Sequence, residues 1–240
     1  MIEVKKEAFY IKCFFFYNED KGGKMKMFSN KELRSMIITL FFEQLLVMLV
    51  GIVDTFVVSS CGEAAVSGVS LVNQFNTIFI YLFTALASGG AIVVSQYIGN
   101  KDEKRTILSS SQLLMFSIVF SIILSILVLI FNKQLLGLLF GKVESDVMKA
   151  CVTYLRISTY SYPALAIYNA GASLYRSMAK TKVTMYISFA ANIINVVGNI
   201  IGVYVLKAGV AGVAYPSLIS RVFSAIIITA LCFNKKLEAY

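Results

Sequence analysis

The sequence predicts an all-α integral membrane protein with six transmembrane helices. Its composition is the first indication: 58% of the 240 residues are hydrophobic and the mean hydropathy is +0.77, whereas soluble domains contain roughly 45–50% apolar residues. The second indication is pattern, because six apolar runs follow one another between short polar loops. Each run can cross a hydrocarbon core about 30 Å thick at about 1.5 Å per residue. An isolated strand could not satisfy its backbone groups in lipid, which leaves helices.

The six predicted helices form one transmembrane lobe that covers residues 31–240. The helices span residues 34–59, 70–98, 107–131, 150–175, 183–206 and 210–233. Pro163 and Pro216 fall inside the fourth and sixth segments, where the missing amide hydrogen is expected to bend the helix. Gly198 and Gly202 are four residues apart in the fifth segment, a spacing that lets a neighbouring helix approach closely.

Residues 1–30 do not fit this pattern and are expected to be a non-structural extension. The aromatic run Phe14–Tyr17 is too short to span a membrane, and no small-residue cleavage site accompanies it. Residues 21–23, Lys-Gly-Gly, are what a purine-rich ribosome-binding site gives when it is translated in frame, and they precede Met25 and Met27. We therefore hypothesise that the natural start is Met25 or Met27. The alternative is a genuine amphipathic tail.

The placement of lysine and arginine predicts that both termini lie in the cytoplasm. Basic residues concentrate at the two ends and in the loops after the second and fourth segments, by about three to one over the other loops. The concentrated set is Lys24, Lys26, Lys31, Arg34, Lys101, Lys104, Arg105, Arg176, Lys180, Lys182, Lys235 and Lys236. The opposite set is Lys133, Lys142, Lys149 and Lys207. Because cytoplasmic loops carry excess positive charge, we expect a multi-pass protein of the inner or plasma membrane.

Two carboxylates interrupt the first segment. Glu43 and Asp54 are eleven residues apart, which at about 100° per residue places them on nearly the same face, about 16 Å apart along the axis. A carboxylate in hydrocarbon costs several kcal/mol unless it faces a cavity or a partner, so each is a functional-site hypothesis. For Asp54 the alternative is contact with lipid headgroups. Glu43 is an additional candidate for the cation site, and its alternative is structural pairing with a buried cation such as Arg156.

Four polar side chains are expected at one depth in the outer half of the membrane. They are Asp54 of the first segment, Asn195 and Asn199 of the fifth, and Ser217 of the sixth. Asn192 shares the face of the other two asparagines, since the three are spaced i, i+3, i+7, and it is a further candidate. An acid among amides and a hydroxyl, with access to water, suits a proton or Na⁺ and no other metal. The alternative for the asparagines is hydrogen bonding between helices, worth about 0.6 kcal/mol each.

Other kinds of site are disfavoured by what the sequence contains. The chain has no histidine, and its four cysteines are scattered without paired spacing, which indicates neither a disulfide framework nor a metal cluster. We find no nucleophile–base pair, so the chain is not predicted to be an enzyme, and no cofactor is expected. The net charge of +9 is distributed between the apolar runs, whereas nucleic-acid binding requires basic residues on one solvated face.

Several stretches resemble one family of membrane transporters. They are EQLLVMLVGIVDTFVVSSCGEAAVSGVSLVNQ, SGGAIVVSQYIGNKDEKR, NAGASLYRSMAKTKV and NIINVVGNIIGVYVLKAGVAGVAYPSLISR. From about Met27 to the end, the chain resembles the N-terminal six-helix lobe of the multidrug and toxic compound extrusion (MATE) transporters, members of the MOP superfamily. The resemblance implies secondary export of amphipathic, often cationic drugs or toxins, driven by inward H⁺ or Na⁺.

The resemblance also assigns residues. The family's first-helix aspartate corresponds to Asp54, its fifth-helix asparagine to Asn195, the acid-or-amide position after it to Asn199, and its sixth-helix hydroxyl to Ser217. Since only one of these four is acidic here, the resemblance leaves open whether the coupling ion is H⁺ or Na⁺.

The resemblance covers half of the family's architecture, which has twelve helices in two lobes around a central cavity. The chain is therefore expected to be a truncated product, a fragment, or a half that dimerises. Its expected partners are membrane lipid, a small amphipathic substrate, and either a second six-helix lobe or a second copy of itself. Two other functions stay open: a flippase for lipid-linked oligosaccharides from the same superfamily, and a non-transporting membrane subunit or remnant.

Overall fold

The computed structural model describes residues 30–141, 143–178 and 180–233, and every regular element within these ranges is helical. The predicted extension, with its proposed start at Met25 or Met27, lies outside the described residues apart from Asn30. Five of the lysines used to predict the orientation also lie outside the described residues: Lys24, Lys26, Lys142, Lys235 and Lys236.

Helices follow one another throughout the described chain. They are α1 (Asn30–Ser59), α2 (Glu63–Gly99), α3 (Glu103–Phe140), α4 (Ser145–Tyr160), α5 (Tyr162–Ser177), α6 (Thr181–Ile200) and α7 (Ala211–Phe233), with a π-helical turn (Ile201–Val205) that continues α6. Among the described residues, α1, α2, α3, α6 with its π-helical turn, and α7 are long and apolar enough to cross a membrane. The protein is therefore an all-α membrane protein.

The fourth predicted segment, 150–175, is two helices rather than one. The chain breaks at Ser161, and Pro163 lies in the first turn of α5. A proline there has no amide hydrogen to donate to the carbonyl of Thr159, four residues earlier. That carbonyl instead accepts a hydrogen bond of 3.4 Å from Ser125 Oγ of α3. Both α4 and α5 pack against α2 and α3, so the two short helices together take the place of the fourth crossing.

Two other helices extend beyond the predicted segments. The third segment was predicted to end at residue 131, and Phe131 does leave helical geometry, with φ −100° and ψ 16°. The helix nevertheless resumes and continues to Phe140. At the same end of the bundle, α2 begins at Glu63, before the predicted start at residue 70, and its first turns pack through small residues such as Ala65 and Gly68. Gly68 lies so close to α4 that an added Cβ would stand 2.7 Å from Cβ of Ala150.

The core is centred on Tyr162 at the start of α5. Its side chain is fully buried, and its ring stacks on Phe79 of α2 with the ring centroids 4.9 Å apart. Its hydroxyl donates a 2.7 Å hydrogen bond to Oδ1 of Asn76, so the phenol has a polar partner inside the core, as buried tyrosines usually do. These contacts hold the α4–α5 junction, including Ser161, against the middle of α2.

Helices α6 and α7 approach each other backbone to backbone. A Cβ built on Gly212 would lie 2.6 Å from the carbonyl oxygen of Gly202, and one built on Gly202 would overlap the carbonyl oxygen of Gly212. One turn earlier, a Cβ on Gly198 would lie 2.6 Å from Cβ of Pro216. The predicted close approach at Gly198 and Gly202 is therefore observed, and its partner is α7.

This contact gives a stability prediction. We expect Gly202→Ala to lower the free energy of unfolding by about 1–3 kcal/mol, because the new methyl group has no room and the two helices must separate. Circular dichroism of the purified chain, unfolded in mixed detergent micelles, measures the change. Gly89→Ala on α2 is the matched control, since a Cβ there meets nothing within 4 Å. Equal stability of the two variants would contradict the close approach.

Candidate functional site

A cavity of about 560 Å³ lies along α1, and its lining includes Glu43 and Asp54 of that helix. Its other walls come from α2, α4, α5, α6 and α7. Four of the lining residues carry a formal charge: Glu43, Asp54, Arg176 and Arg221. At one side the wall is open, because the lining residues Val47 and Tyr81 are exposed. The cavity is thus polar inside a bundle whose outer surface is mostly apolar.

The structure brings Asp54, Asn195, Asn199 and Ser217 into one chain of hydrogen bonds. The amide nitrogen of Asn199 donates to Oδ1 of Asp54 and, at 3.0 Å, to Oδ1 of Asn195. Asn195 in turn donates through Nδ2 to Oγ of Ser217 at 2.9 Å. Three helices therefore meet at these side chains: α1, α6 and α7.

One oxygen atom in this chain of hydrogen bonds, Oδ1 of Asn199, has no hydrogen-bond partner among the described residues. The whole Asn199 side chain is fully buried, so water cannot satisfy this oxygen atom in place of a protein group. An unsatisfied buried polar atom costs roughly 1–3 kcal/mol. Together with Asp54, it places a free carbonyl-type oxygen next to a carboxylate. Oxygen atoms of these two kinds are the ligands that hard cations prefer.

Glu43 is paired, but its partner differs from the one suggested by the sequence. Oε1 of Glu43 accepts a 2.7 Å hydrogen bond from Nη2 of Arg176, and Oε2 accepts a 3.4 Å hydrogen bond from the hydroxyl of Thr184. Arg156, the example suggested above, is exposed and is not among the residues that line the cavity. Arg176 was not predicted as the partner because it lies in the last turn of α5, where its sequence position is equally consistent with a cytoplasmic loop.

Asn192, the remaining candidate, lines the same cavity but stands apart from the hydrogen-bond chain. It is half-buried, and its Nδ2 has no hydrogen-bond partner among the described residues. Its position one turn before Asn195 on α6 matches the i, i+3 spacing read from the sequence. Asn192 and Asn195 therefore line the cavity, whereas the fully buried Asn199 bonds Asp54 directly and connects Asn195 to it.

Several residues of the cavity wall were not predicted from the sequence. Arg221 of α7 and the α2 residues Asn73, Thr77 and Thr84 were not predicted, although all four line the cavity. A signal for the α2 residues was available, since spacings of four and eleven residues place them on one helix face. Tyr154, on α4, also lines the cavity, and no spacing to another polar residue of α4 predicted it.

Comparison with known proteins places this geometry in a family. A family model described as MatE matches residues 39–201. The Bacillus subtilis protein named "Uncharacterized transporter YisQ" is 27% identical over 203 residues, which make up 83% of this chain and 44% of that protein. The human protein named "Multidrug and toxin extrusion protein 1" is 25% identical over 214 residues, or 87% of this chain and 37% of that protein.

Solved structures give the same result for the fold. One is described as the outward-facing conformation of a multidrug resistance MATE family transporter of the MOP superfamily. It superposes with a TM-score of 0.80 at 21% identity, covering 86% of this chain and 45% of that one. The chain thus spans less than half the length of these relatives. Because the family model covers residues 39–201 of 240, the chain belongs to the MatE family of transporters.

Proposed function

We propose that this chain is the N-terminal six-helix lobe of a secondary active exporter. The exporter moves amphipathic, often cationic drugs or toxins out of the cell against an inward flow of H⁺ or Na⁺. Family membership supports transport, and the name of the human relative supports multidrug and toxin extrusion as the kind of transport. No chemical conversion of the substrate is part of the proposal.

The observation that carries this proposal is the carboxylate of Asp54 within a helix that can span the membrane. It lines a cavity and accepts a hydrogen bond from Asn199. These contacts explain why an acidic residue lies in this helix without requiring contact with lipid headgroups. The oxygen atoms available here suit a small cation. They are the carboxylate of Asp54, the free Oδ1 of Asn199, and the side-chain oxygen atoms of Asn195 and Ser217. A proton would need only the carboxylate, whereas Na⁺ would use several of these oxygen atoms.

The mechanism that we propose couples this site to movement of α1. This helix is the least buried of the described spans. Side-chain hydrogen bonds attach it to the bundle at two points: Asp54 with Asn199, and Glu43 with Arg176 and Thr184. When a cation enters from outside, it competes with Asn199 for the Asp54 carboxylate. Coupling follows if the cation binds the two positions of α1 with different affinities. Substrate affinity in the cavity then falls.

The membrane orientation follows from the charge distribution and remains part of the proposal. With both termini in the cytoplasm of a plasma or inner membrane, Asp54 lies in the outer half of the bilayer and Glu43 in the inner half. The exposed cavity residues Val47 and Tyr81 then face sideways. We propose that a second six-helix lobe or a second copy of this chain covers them, because a polar cavity open to lipid is costly.

The charges of the cavity favour the exporter over the alternative of a flippase for lipid-linked oligosaccharides. A pyrophosphate carries several negative charges, and its site needs an excess of basic groups. The cavity holds two carboxylates and two guanidinium groups, so it offers no such excess. Arg156, which would have added a cation, is exposed on α4. The flux measurement described next distinguishes the exporter from the other alternative, a subunit or remnant without transport activity.

The test is a flux measurement on the purified chain in lipid vesicles. The vesicles contain a fluorescent organic cation, and either a pH gradient or a Na⁺ gradient is imposed in the direction opposite to dye movement. We expect one of the two gradients to accelerate dye release several-fold over vesicles without a gradient, and this identifies the coupling ion. Collapsing the gradient with an ionophore should remove the acceleration. Dye release that responds to neither gradient would contradict coupled export by this chain and by a dimer of it, leaving the non-transporting subunit or a lobe that works only with a second six-helix lobe.

A further inference from the structure

Arg221 is the one charged cavity residue, within the described part of the chain, that has neither an ion pair nor a place in the Asp54 hydrogen-bond chain; its charge attracts the Asp54 carboxylate only from a longer distance. The Glu43 carboxylate is paired with Arg176 at 2.7 Å, so these two charges cancel. Asp54 is held by the amide of Asn199 and is the proposed cation site. Arg221 has no described carboxylate within 4.0 Å, since the ion pairs of the described residues do not include it.

The structure nevertheless holds the Arg221 side chain in place. Its Nη1 donates a 2.7 Å hydrogen bond to Oγ of Ser161, which is fully buried at the α4–α5 junction. Ser161 is itself fixed, because its hydroxyl donates to the carbonyl of Ser158 at 2.6 Å. A guanidinium has five N–H donors, and the contact with Ser161 uses one of them. The remaining donors are left for a ligand of the cavity.

Arg221 also stands close to the proposed cation site. It follows Ser217 by four residues on α7, so it lies on the same face of the helix and about 6 Å further along its axis. Ser217 is linked to Asp54 through Asn195 and Asn199. The cavity therefore presents a negative group and a positive group about one helical turn apart in depth.

We propose that Arg221 is the second pole of the substrate site. It binds the anionic oxygen atoms of a zwitterionic amphiphile, through a carboxylate, sulfonate or phosphate group. The cationic group of the same molecule lies towards Asp54, where it competes with the coupling cation. This inference rests on the proposed export function and narrows its substrate class. A purely cationic molecule would meet the unpaired guanidinium, whereas a zwitterion satisfies both charges.

Binding of two matched dyes tests this assignment. Rhodamine B is a zwitterion at neutral pH, and its ethyl ester is a cation with the same ring system. Fluorescence anisotropy of each dye is titrated with the purified chain in detergent, and the signal from empty micelles is subtracted. We expect the zwitterion to bind at least about tenfold more tightly than the ester, because hydrogen bonds between charged groups exceed neutral ones in strength.

Variants assign this preference to one side chain. Arg221→Gln is expected to weaken rhodamine B binding to the level of the ester, and Arg221→Lys to retain part of the preference because it keeps the charge. Arg156→Gln is the matched control, since this arginine is exposed outside the cavity, and it should keep the full preference. Circular dichroism checks that each variant has the helix content of the parent chain.

Each other outcome has a defined meaning. Equal binding of the two dyes to the parent chain, or an undiminished preference in Arg221→Gln, overturns the role of Arg221 and leaves the proposed export function standing. If neither dye binds, the cavity is not a substrate site, and both proposals fall.

Discussion

Asp54→Asn is expected to abolish the stabilisation of the folded chain by its coupling cation. A ligand that binds only the folded state stabilises it by about 2.7 kcal/mol at a hundredfold excess over its Kd. Asparagine has nearly the same shape and can still contact Asn199, but it has no charge to attract Na⁺ and no carboxylate to take up a proton. The fold should therefore survive while the response to the cation disappears.

Thermal unfolding measures this effect. Melting temperatures of the purified chain in detergent are compared in Na⁺ and in N-methylglucamine at equal ionic strength, and separately across a pH series. Asp146→Asn is the control, because Asp146 is an exposed residue at the start of α4 that pairs with Lys149 at 3.0 Å. That variant should respond to the cation like the parent chain. A full cation response in Asp54→Asn would remove Asp54 from the proposed site.

Arg176→Gln is expected to cause the largest loss of stability, about 3–5 kcal/mol in the free energy of unfolding. The change leaves the carboxylate of Glu43, whose side chain is only 5% exposed, without its positive partner. Removing one member of a buried ion pair is costly because an uncompensated charge remains. The Thr184 hydroxyl at 3.4 Å is too weak a donor to replace a guanidinium.

The double variant Glu43→Gln/Arg176→Gln separates this explanation from a general packing defect. Removing both charges should restore most of the lost stability, because neither member of the pair is left charged without the other. Lys149→Gln provides a surface control: its side chain is 77% exposed, and exposed ion pairs contribute little, so no measurable change is expected. A double variant as unstable as Arg176→Gln alone would show that the arginine acts through packing rather than through Glu43.

Much of the site could be predicted because it depends on local periodicity. Asn195 and Asn199 are four residues apart on one helix, which fixes their common face. Pairing that face with Asp54 needed only the alternating direction of successive helices, which places the end of the first crossing beside the outer half of the fifth. Both inferences use distances along the chain that helix geometry determines, and the structure brings the three side chains together.

Contacts between distant parts of the sequence were not predictable in the same way. Glu43 and Arg176 are 133 residues apart, and nothing in the local pattern of either residue identifies the other. Arg176 stands at a helix end, where a basic residue is as consistent with a cytoplasmic loop as with a buried pair. The role of Arg221 was missed for a similar reason, since the Ser161 that holds it belongs to a helix junction that hydropathy does not reveal.

At the α4–α5 junction, the position of the proline predicted a bend, but hydropathy did not predict that the chain forms two separate helices. Pro163 predicted a bend, and the chain does break beside it at Ser161. The two 16-residue helices on either side were read as one crossing because apolar residues continue through the break. Whether a proline bends a helix or divides it depends on what satisfies the freed carbonyl, and here that group is Ser125 of α3.

The most direct measurement is infrared difference spectroscopy of the Asp54 carboxyl group in the purified chain. Spectra are recorded while pH is stepped and while Na⁺ replaces N-methylglucamine, for the parent chain, Asp54→Asn and Glu43→Gln. We expect a carboxyl band that changes with one of the two cations in the parent chain and in Glu43→Gln, and that is missing in Asp54→Asn. Identical spectra for the parent chain and Asp54→Asn under every condition would mean that neither H⁺ nor Na⁺ binds at Asp54, which contradicts the proposed cation site.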